Sequence, residues 1–361
     1  MDTRIFYYTD HLKALVSHQI PVPIHVYLDT TRECNHRCWY CYEYLGASLG
    51  IQREESVRHY APVEELISIL EELAAQGISA IDFCGGEPLL HPHAEALLSK
   101  AVELDLKFGL VTNGTLLSDA LTEIVGRHAC WVRFSIDTVD ERLFDVTRRP
   151  VSSEDSLENV LANIAALLRL RKAINRTDFL IGVNCVVDKR HIKSMYATAK
   201  TCKEMGVDYV RYALVNAGKS IQDRLFAGDT IALIMKEVER AKTLVDDSFF
   251  IIDPDPSLQL APASPDMGFS LCYWSLLTLT IDVDGNIYTC PEMKHDARYA
   301  VGNLRETPLN DLIYSDRRWD VAQQTQWCSN CCHIPFNRMV KRHLETTPNQ
   351  LPFICEQSNW R

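Results

Sequence analysis

The sequence predicts an α/β protein: six β-then-α units forming a sheet or barrel, followed by a smaller unit built on a β-hairpin. Three observations carry this. Apolar, β-branched runs of strand length recur along the chain; amphipathic stretches fill the gaps between them; and the character of the chain changes near residue 250.

The first run, IHVYLDTT, occupies 24–31, and the interval 43–61 that follows has no clear period and reads as an inserted loop. PVEELISILEELAAQG (62–77) puts Leu66, Ile69, Leu70 and Leu73 on one helical stripe. Strand runs follow as SAIDFCGG (79–86), KFGLVTNG (107–114) and WVRFSID (131–137). A second amphipathic helix, SLENVLANIAALLRLRKAIN (156–175), precedes FLIGVNCVV (179–187) and YVRYALV (209–215). Their continuous apolar character suits strands covered on both faces, as in a parallel sheet. The proline-rich DPDPSLQLAPASPDM (253–267) reads as a connector. Beyond it, LLTLTIDVDGNIYTC (276–290) folds back around Asp284-Gly285, a strong hairpin signal, and the tail from about 300 mixes a helical LNDLIYSDRRWDVAQQ with a cysteine cluster. The expected division is 1–250 and 251–361.

The chain has 361 residues, 47% hydrophobic and 24% charged, enough for one large core and a smaller one. A net charge of −11 and the lack of any basic run exclude a nucleic-acid binder. No signal pattern opens the chain, and no stretch reaches the ~18 apolar residues of a membrane span, so no membrane partner and a cytoplasmic location are expected.

Thirteen cysteines are unusual for such a chain, because cytosolic clusters of thiols read as metal ligands or redox groups rather than disulfides. Cys84, Cys130, Cys185, Cys202, Cys332 and Cys355 look scattered or unassigned, and the first four are expected as small buried apolar groups. The other seven form two groups. In the first, TRECNHRCWYCYEY places Cys34, Cys38 and Cys41 just after the first strand, where parallel α/β sheets hold their active sites. Structural zinc needs four ligands, and His36, inside the loop, is expected to face solvent. A four-iron cubane held by three thiolates keeps one iron open for a substrate or cofactor.

These residues resemble the hallmark of the radical S-adenosylmethionine (SAM) enzymes, Cys-x3-Cys-x2-Cys with an aromatic residue, here Tyr40, before the last cysteine. The resemblance implies a partial (β/α)6 TIM-like barrel with a C-terminal auxiliary-cluster domain. It also implies a [4Fe-4S] cluster whose open iron chelates SAM, and one-electron cleavage of SAM to a 5′-deoxyadenosyl radical that takes hydrogen from substrate. CGGEPLLHP (84–92) matches the family turn that grips the methionine amino group, through Gly85, Gly86, Glu87 and Pro88. Its two glycines allow close backbone approach and unusual φ, and Glu87 offers an acceptor. By the same resemblance Ser135 is a ribose contact, and Arg149 pairs with the SAM carboxylate, with Arg148 close behind. Asn113, in VTNGT, either serves that cofactor or satisfies its own turn. Asn184, Arg211 and Tyr212 point from late strands toward where family substrates lie.

The second group comprises Cys272 and Cys290, seventeen residues apart, and the pair Cys328 and Cys331. The hairpin returns Cys290 beside Cys272, and four thiolates then close one auxiliary [4Fe-4S] cluster. Cys332 or Cys355 are alternatives for one position, and zinc competes as the metal. This part resembles the SPASM extension, in its shortened twitch form, with a spacing shared by the 2-deoxy-scyllo-inosamine dehydrogenases.

A closed auxiliary cluster suits acceptance of an electron, so the reaction expected is a two-electron oxidation of a small polar metabolite, a sugar, cyclitol, nucleoside or amino acid. Epimerisation and decarboxylation use the same front half. No general base stands out. The resemblance implies a flavodoxin- or ferredoxin-type electron donor. A ribosomally made peptide is the alternative substrate, disfavoured because only about 23 residues precede the first strand, too few for the winged leader-binding domain of many peptide modifiers. A non-catalytic electron-transfer protein is a further alternative, and the Gly85–Pro88 turn argues against it.

Overall fold

A computed structural model describes residues 8–41, 59–216, 219–256, 267–294, 296–324, 331 and 333–346. Ten strands make a single sheet: β1 (His25–Thr31), β2 (Ala80–Gly85), β3 (Lys107–Thr112), β4 (Trp131–Ser135), β5 (Leu180–Val187), β6 (Tyr209–Leu214), β7 (Phe250–Ile252), β8 (Thr278–Ile281), β9 (Asn286–Tyr288) and β10 (Ala300–Asn303). Their order is β10-β9-β8-β1-β2-β3-β4-β5-β6-β7. From β1 to β7 every pairing is parallel, as the six βα units require. The sheet is thus a run from β10 to β7, and the short β7 extends it beyond the six expected strands.

The hairpin around Asp284-Gly285 forms as expected: β8 and β9 are antiparallel, and the Asp282 carboxylate accepts the N–H groups of Asp284 and Asn286, both at 2.9 Å. It does not stand apart from the larger unit. β8 lies parallel to β1 with His25 opposite Thr278 and Leu28 opposite Ile281, so the C-terminal region extends the same sheet.

The two faces of that sheet differ, which corrects the expectation of strands covered on both sides. Val26, Leu28, Ile81, Phe83, Leu110, Val132, Phe134, Val183 and Val210 are buried on one face. Alternate residues occupy the other: Tyr27, Asp29, Asp82, Cys84, Arg133, Ser135, Asn184 and Arg211. Period-two alternation separates them, polar residues gathering where the helices do not pack. The helices on the apolar side include Val63–Ala75, burying Leu66, Leu70 and Leu73, and Leu157–Ala173, burying Leu157, Val160, Ile164 and Leu167. Ser156 caps the latter, its hydroxyl accepting the Asn159 N–H at 3.3 Å. Ser315 breaks the helical tail into Leu309–Ile313 and Asp316–Ala322 by capping the second. Ile334–Thr346 adds a helix in a stretch that looked irregular. Among the described residues no helix is long and apolar enough to cross a membrane.

Arg318 fastens this C-terminal region. It is fully buried and donates to the carbonyls of Pro21 (3.0 Å), Leu276 and Ile313, joining three distant segments through one planar fork. Cys185 and Cys202 are buried as expected, whereas Cys84 and Cys130 are only partly so, and Cys84 lies on the polar face.

Candidate active site

The loop after β1 is clamped from two sides. Gly86 N–H donates to Thr31 O and Glu87 N–H to Glu33 O, both at 2.8 Å, so the β2 turn runs against the backbone that leads to Cys34. A Cβ on Gly85 would stand 2.3 Å from Thr31 O, and one on Gly86 2.2 Å from Glu33 O; Gly85 also has φ +115°. The glycine pair lets two backbones touch. On the other side Arg37 N–H donates to Arg148 O, Trp39 N–H to Thr147 O and Val151 N–H to Asn35 O, fixing the loop to residues 147–151.

Side chains complete the clamp. Asn35 donates to Thr115 Oγ1 (2.7 Å) and to Asp155, and accepts from Asn113 Nδ2 at 2.6 Å. Asn113 satisfies its own turn, its Oδ1 accepting from Thr115, while its Nδ2 faces Asn35 and stands 3.9 Å from Cys34 Sγ. His36 is buried rather than facing solvent; its ring packs on Phe144, and burial beside Arg148 lowers its pKa to about 4.

Glu87 is buried at the centre, accepting from Leu89 N, Thr112 Oγ1 (2.7 Å) and Asn113 N (2.6 Å). Pro88 is buried beside it and opens the short turn of helix Pro88–Leu90. Burial raises the Glu87 carboxyl from 4.5 to about 7 against the pull of those donors. A raised folded-state pKa means stability is fullest below the ordinary carboxylate range and is lost as pH climbs through about 7. Glu87→Gln, which cannot ionise, is expected to flatten that loss, up to about 3 kcal/mol, in urea midpoints of the cluster-free protein measured at both ends of this window.

Asp137 is the residue that sequence reasoning passed over, and its partner is Arg148, the second choice in the Arg-Arg-Pro stretch. Arg148 donates to Asp137 Oδ1 at 2.8 Å with both side chains buried, and its Nη1 stands 3.8 Å from Cys38 Sγ. Asp137 also accepts the Tyr40 hydroxyl at 2.6 Å and Val186 N–H at 2.9 Å. Arg149, by contrast, is exposed in the left-handed conformation that ends helix Glu141–Arg148. Asp137 was legible in part, since it lies two residues beyond Ser135.

Of the residues expected near substrate, Asn184 and Arg211 share the polar face with Ser135 in adjacent register, and Arg211 donates to Asn184 Oδ1 at 3.1 Å. Tyr212 does not join them. One residue on, it points to the helix side, buried, with its hydroxyl donating to Met195 O at 2.8 Å. Two groups from the C-terminal region reach the polar face unanticipated. Lys294 forms a buried ion pair with Asp29, and Glu292 accepts from Asn216 Nδ2 at 3.2 Å. Glu292 keeps contact with solvent although protein surrounds it, and burial raises its pKa against the charges of Arg211 and Lys294.

Three thiols of the second group lie within electrostatic reach of one another. The thiol of Cys290 is pushed up by burial and then by Glu292 and the neighbouring Cys272, with Cys331 a further contributor. Cys272 Sγ accepts from Asn337 Nδ2 at 3.5 Å. Cys328, Cys332 and Cys355 lie outside the described residues.

The donor sets suit iron–sulfur clusters. Cys34, Cys38 and Cys41 are free thiols, and burial pushes Cys34 up to about 12, so iron would be needed to hold it as thiolate at neutral pH. His36 N–H, 3.4 Å from Cys34 Sγ, supplies the kind of donor that ligating sulfur accepts. Among the described residues no three Cys, His, Asp or Glu side chains converge as ligands of one ion, whereas a cubane takes each thiol on a different iron.

Family comparison decides the matter: residues 28–195 match the Radical SAM superfamily and 272–332 match SPASM, an iron-sulfur cluster-binding domain. The chain belongs to the radical SAM superfamily. For a radical SAM enzyme with a SPASM match, the family assignment implies a SAM-binding cluster and an auxiliary iron–sulfur cluster. It is similar to the S-adenosylmethionine-dependent nucleotide dehydratase of Lacinutrix mariniflava, 28% identical over 46% of this chain but only 33% of that relative's length. The PqqA peptide cyclase of Granulibacter bethesdensis is 20% identical over 87% of this chain and 79% of its own. Among solved structures, Streptococcus suis SuiB bound to S-adenosylmethionine superposes with a TM-score of 0.66 at 16% identity, covering 91% of this chain and 77% of that one. SuiB has also been solved bound to its precursor peptide SuiA. At such identity the likeness concerns the fold alone.

Proposed function

We propose that this radical SAM enzyme removes hydrogen from a peptide, in a net two-electron oxidation or cross-linking. Cys34, Cys38 and Cys41 hold the SAM-binding cluster, and Cys272, Cys290, Cys328 and Cys331 the auxiliary one. The observation that carries the reading is the polar face between the two thiol groups. Ser135, Asn184 and Arg211 line it from β4, β5 and β6, and Glu292, two residues after Cys290, reaches it from the auxiliary region. The peptide displaces the small metabolite as first choice because PqqA peptide cyclases, relatives matched over more than four-fifths of this chain, act on a peptide by name. Chain length ahead of β1 does not outweigh them.

When bound, the clusters pass single electrons and SAM supplies the hydrogen-abstracting group. The chain's own residues bind and orient. Gly85, Gly86 and Glu87 frame the methionyl amino group, with Pro88 fixing the turn, and Ser135 and Tyr40 border the nucleoside. Arg148, buried beside Cys38 with an Nε that has no partner among the described residues, takes the SAM carboxylate in place of the exposed Arg149. Arg211 and Asn184 hold polar groups of the substrate. An acidic flavodoxin or ferredoxin would supply the electron. Residues 1–250 are the SAM-cleaving unit and 251–361 the auxiliary one.

Anaerobic reconstitution with iron and sulfide, then dithionite and SAM, is expected to yield 5′-deoxyadenosine. With a library of short synthetic peptides, a peptide that is turned over should lose the mass of two hydrogens. No 5′-deoxyadenosine would sink the SAM-cleaving reading. Turnover of metabolites alone, with peptides inert, would return the substrate to the small-molecule class.

A further inference from the structure

We propose that Asp137 is a positioning residue that fixes the Arg148 guanidinium against the Cys38 sulfur and thereby makes the first cluster easier to reduce. The inference rests on the reading that Cys34, Cys38 and Cys41 hold that cluster, and goes beyond it to what sets the cluster's potential.

The geometry is a line of charges. Cys38 Sγ is followed at 3.8 Å by Arg148 Nη1, and the other end of the same fork meets Asp137 Oδ1 at 2.8 Å. The side chains of Arg148 and Asp137 are 6% and 0% exposed, so water screens the pair little. The cation is the nearer member to the sulfur, and the field there is positive. Two more donors, the Tyr40 hydroxyl at 2.6 Å and Val186 N–H at 2.9 Å, hold Asp137 still and draw its negative charge away from the thiol. The Tyr40 ring also lies 5.6 Å from the guanidinium carbon, adding a cation–π contact.

Cys34 has a different setting. Its sulfur faces the neutral amide of Asn113 and the His36 backbone N–H, while the buried His36 ring is held neutral. A cluster held by three thiolates gains negative charge on reduction, and a desolvated cation beside one ligand favours the reduced form. A buried ion pair serving stability alone would not need to aim its cation at a ligand sulfur. Apolar residues of the same volume commonly do as well.

The test is an EPR-monitored redox titration of the reconstituted enzyme without SAM, the auxiliary cluster serving as internal reference. Arg148→Gln should make the first cluster at least tenfold harder to reduce, ~59 mV more negative for one electron. Asp137→Asn should move it the other way, because the cation loses its counter-charge. Arg148→Lys should stay near wild type, and the auxiliary potential should not move. A first-cluster potential unchanged in Arg148→Gln, or shifts of the same sign in the Gln and Asn variants, would overturn the proposal.

Should Arg148→Gln take up no cluster, the cluster-free protein still decides. Site-resolved alkylation of Cys38 at neutral pH should slow about tenfold relative to Cys34, and an unchanged ratio overturns the coupling. Failure of the wild type to take up any cluster would count against the proposed function, and the alkylation arm would still judge the Arg148–Cys38 contact.

Discussion

Gly86→Ala is expected to give a protein that no longer forms the Cys34–Cys41 loop, takes up little iron at that site and unfolds in urea about 4 kcal/mol or more earlier than wild type. The added methyl would lie 2.2 Å from Glu33 O, 2.6 Å from Arg32 O and 2.7 Å from Glu33 C. All three are backbone atoms of the segment that leads into Cys34. They cannot step aside, because Gly86 N–H and Glu87 N–H are bonded to the same segment at 2.8 Å. Gly77→Ala separates this clash from a general intolerance of alanine. Gly77 has φ +78° but nothing within 4 Å, so it should lose only the ~1 kcal/mol of a left-handed residue and keep its iron. Iron retained in Gly86→Ala would show that the loop does not depend on this backbone contact.

Lys294→Met should cost about 3–5 kcal/mol, because it leaves the Asp29 carboxylate buried without its cation. The side chains of the pair are 3% and 6% exposed and come from residues 265 apart, one on β1 and one following the auxiliary cysteine Cys290. Asp29→Asn combined with Lys294→Met removes both charges and should recover most of the loss. In chemical denaturation that recovery distinguishes an electrostatic tie from simple packing. A double variant no more stable than Lys294→Met alone would assign the loss to the lysine stem.

Spacing that carries chemistry was readable before folding. The three thiols after β1, the Gly85–Gly86 turn after β2 and the Asp284-Gly285 hairpin all fell where local patterns put them. Parity within strands was readable too, and where it was overlooked the reading went astray. Tyr212 shares parity with Val210 and Leu214, so it belongs with the apolar face, while Arg211 takes the polar one. Arg149 is turned outward by its left-handed φ of +50°, which nothing in an Arg-Arg-Pro stretch announces. β7 has three residues, too few for a pattern. The pairing of β8 with β1 joins segments some 250 residues apart, and no local signal specifies such a partner.

That pairing has a mechanical consequence. The strand leading to Cys34 and the hairpin carrying Cys290 are stitched by one hydrogen-bonded ladder, so they tumble and vibrate as one body. The gap an electron would tunnel across is therefore set by that shared sheet. Solvent viscosity, which slows enzymes whose redox partners must swing together, finds no hinge in this ladder on which to act.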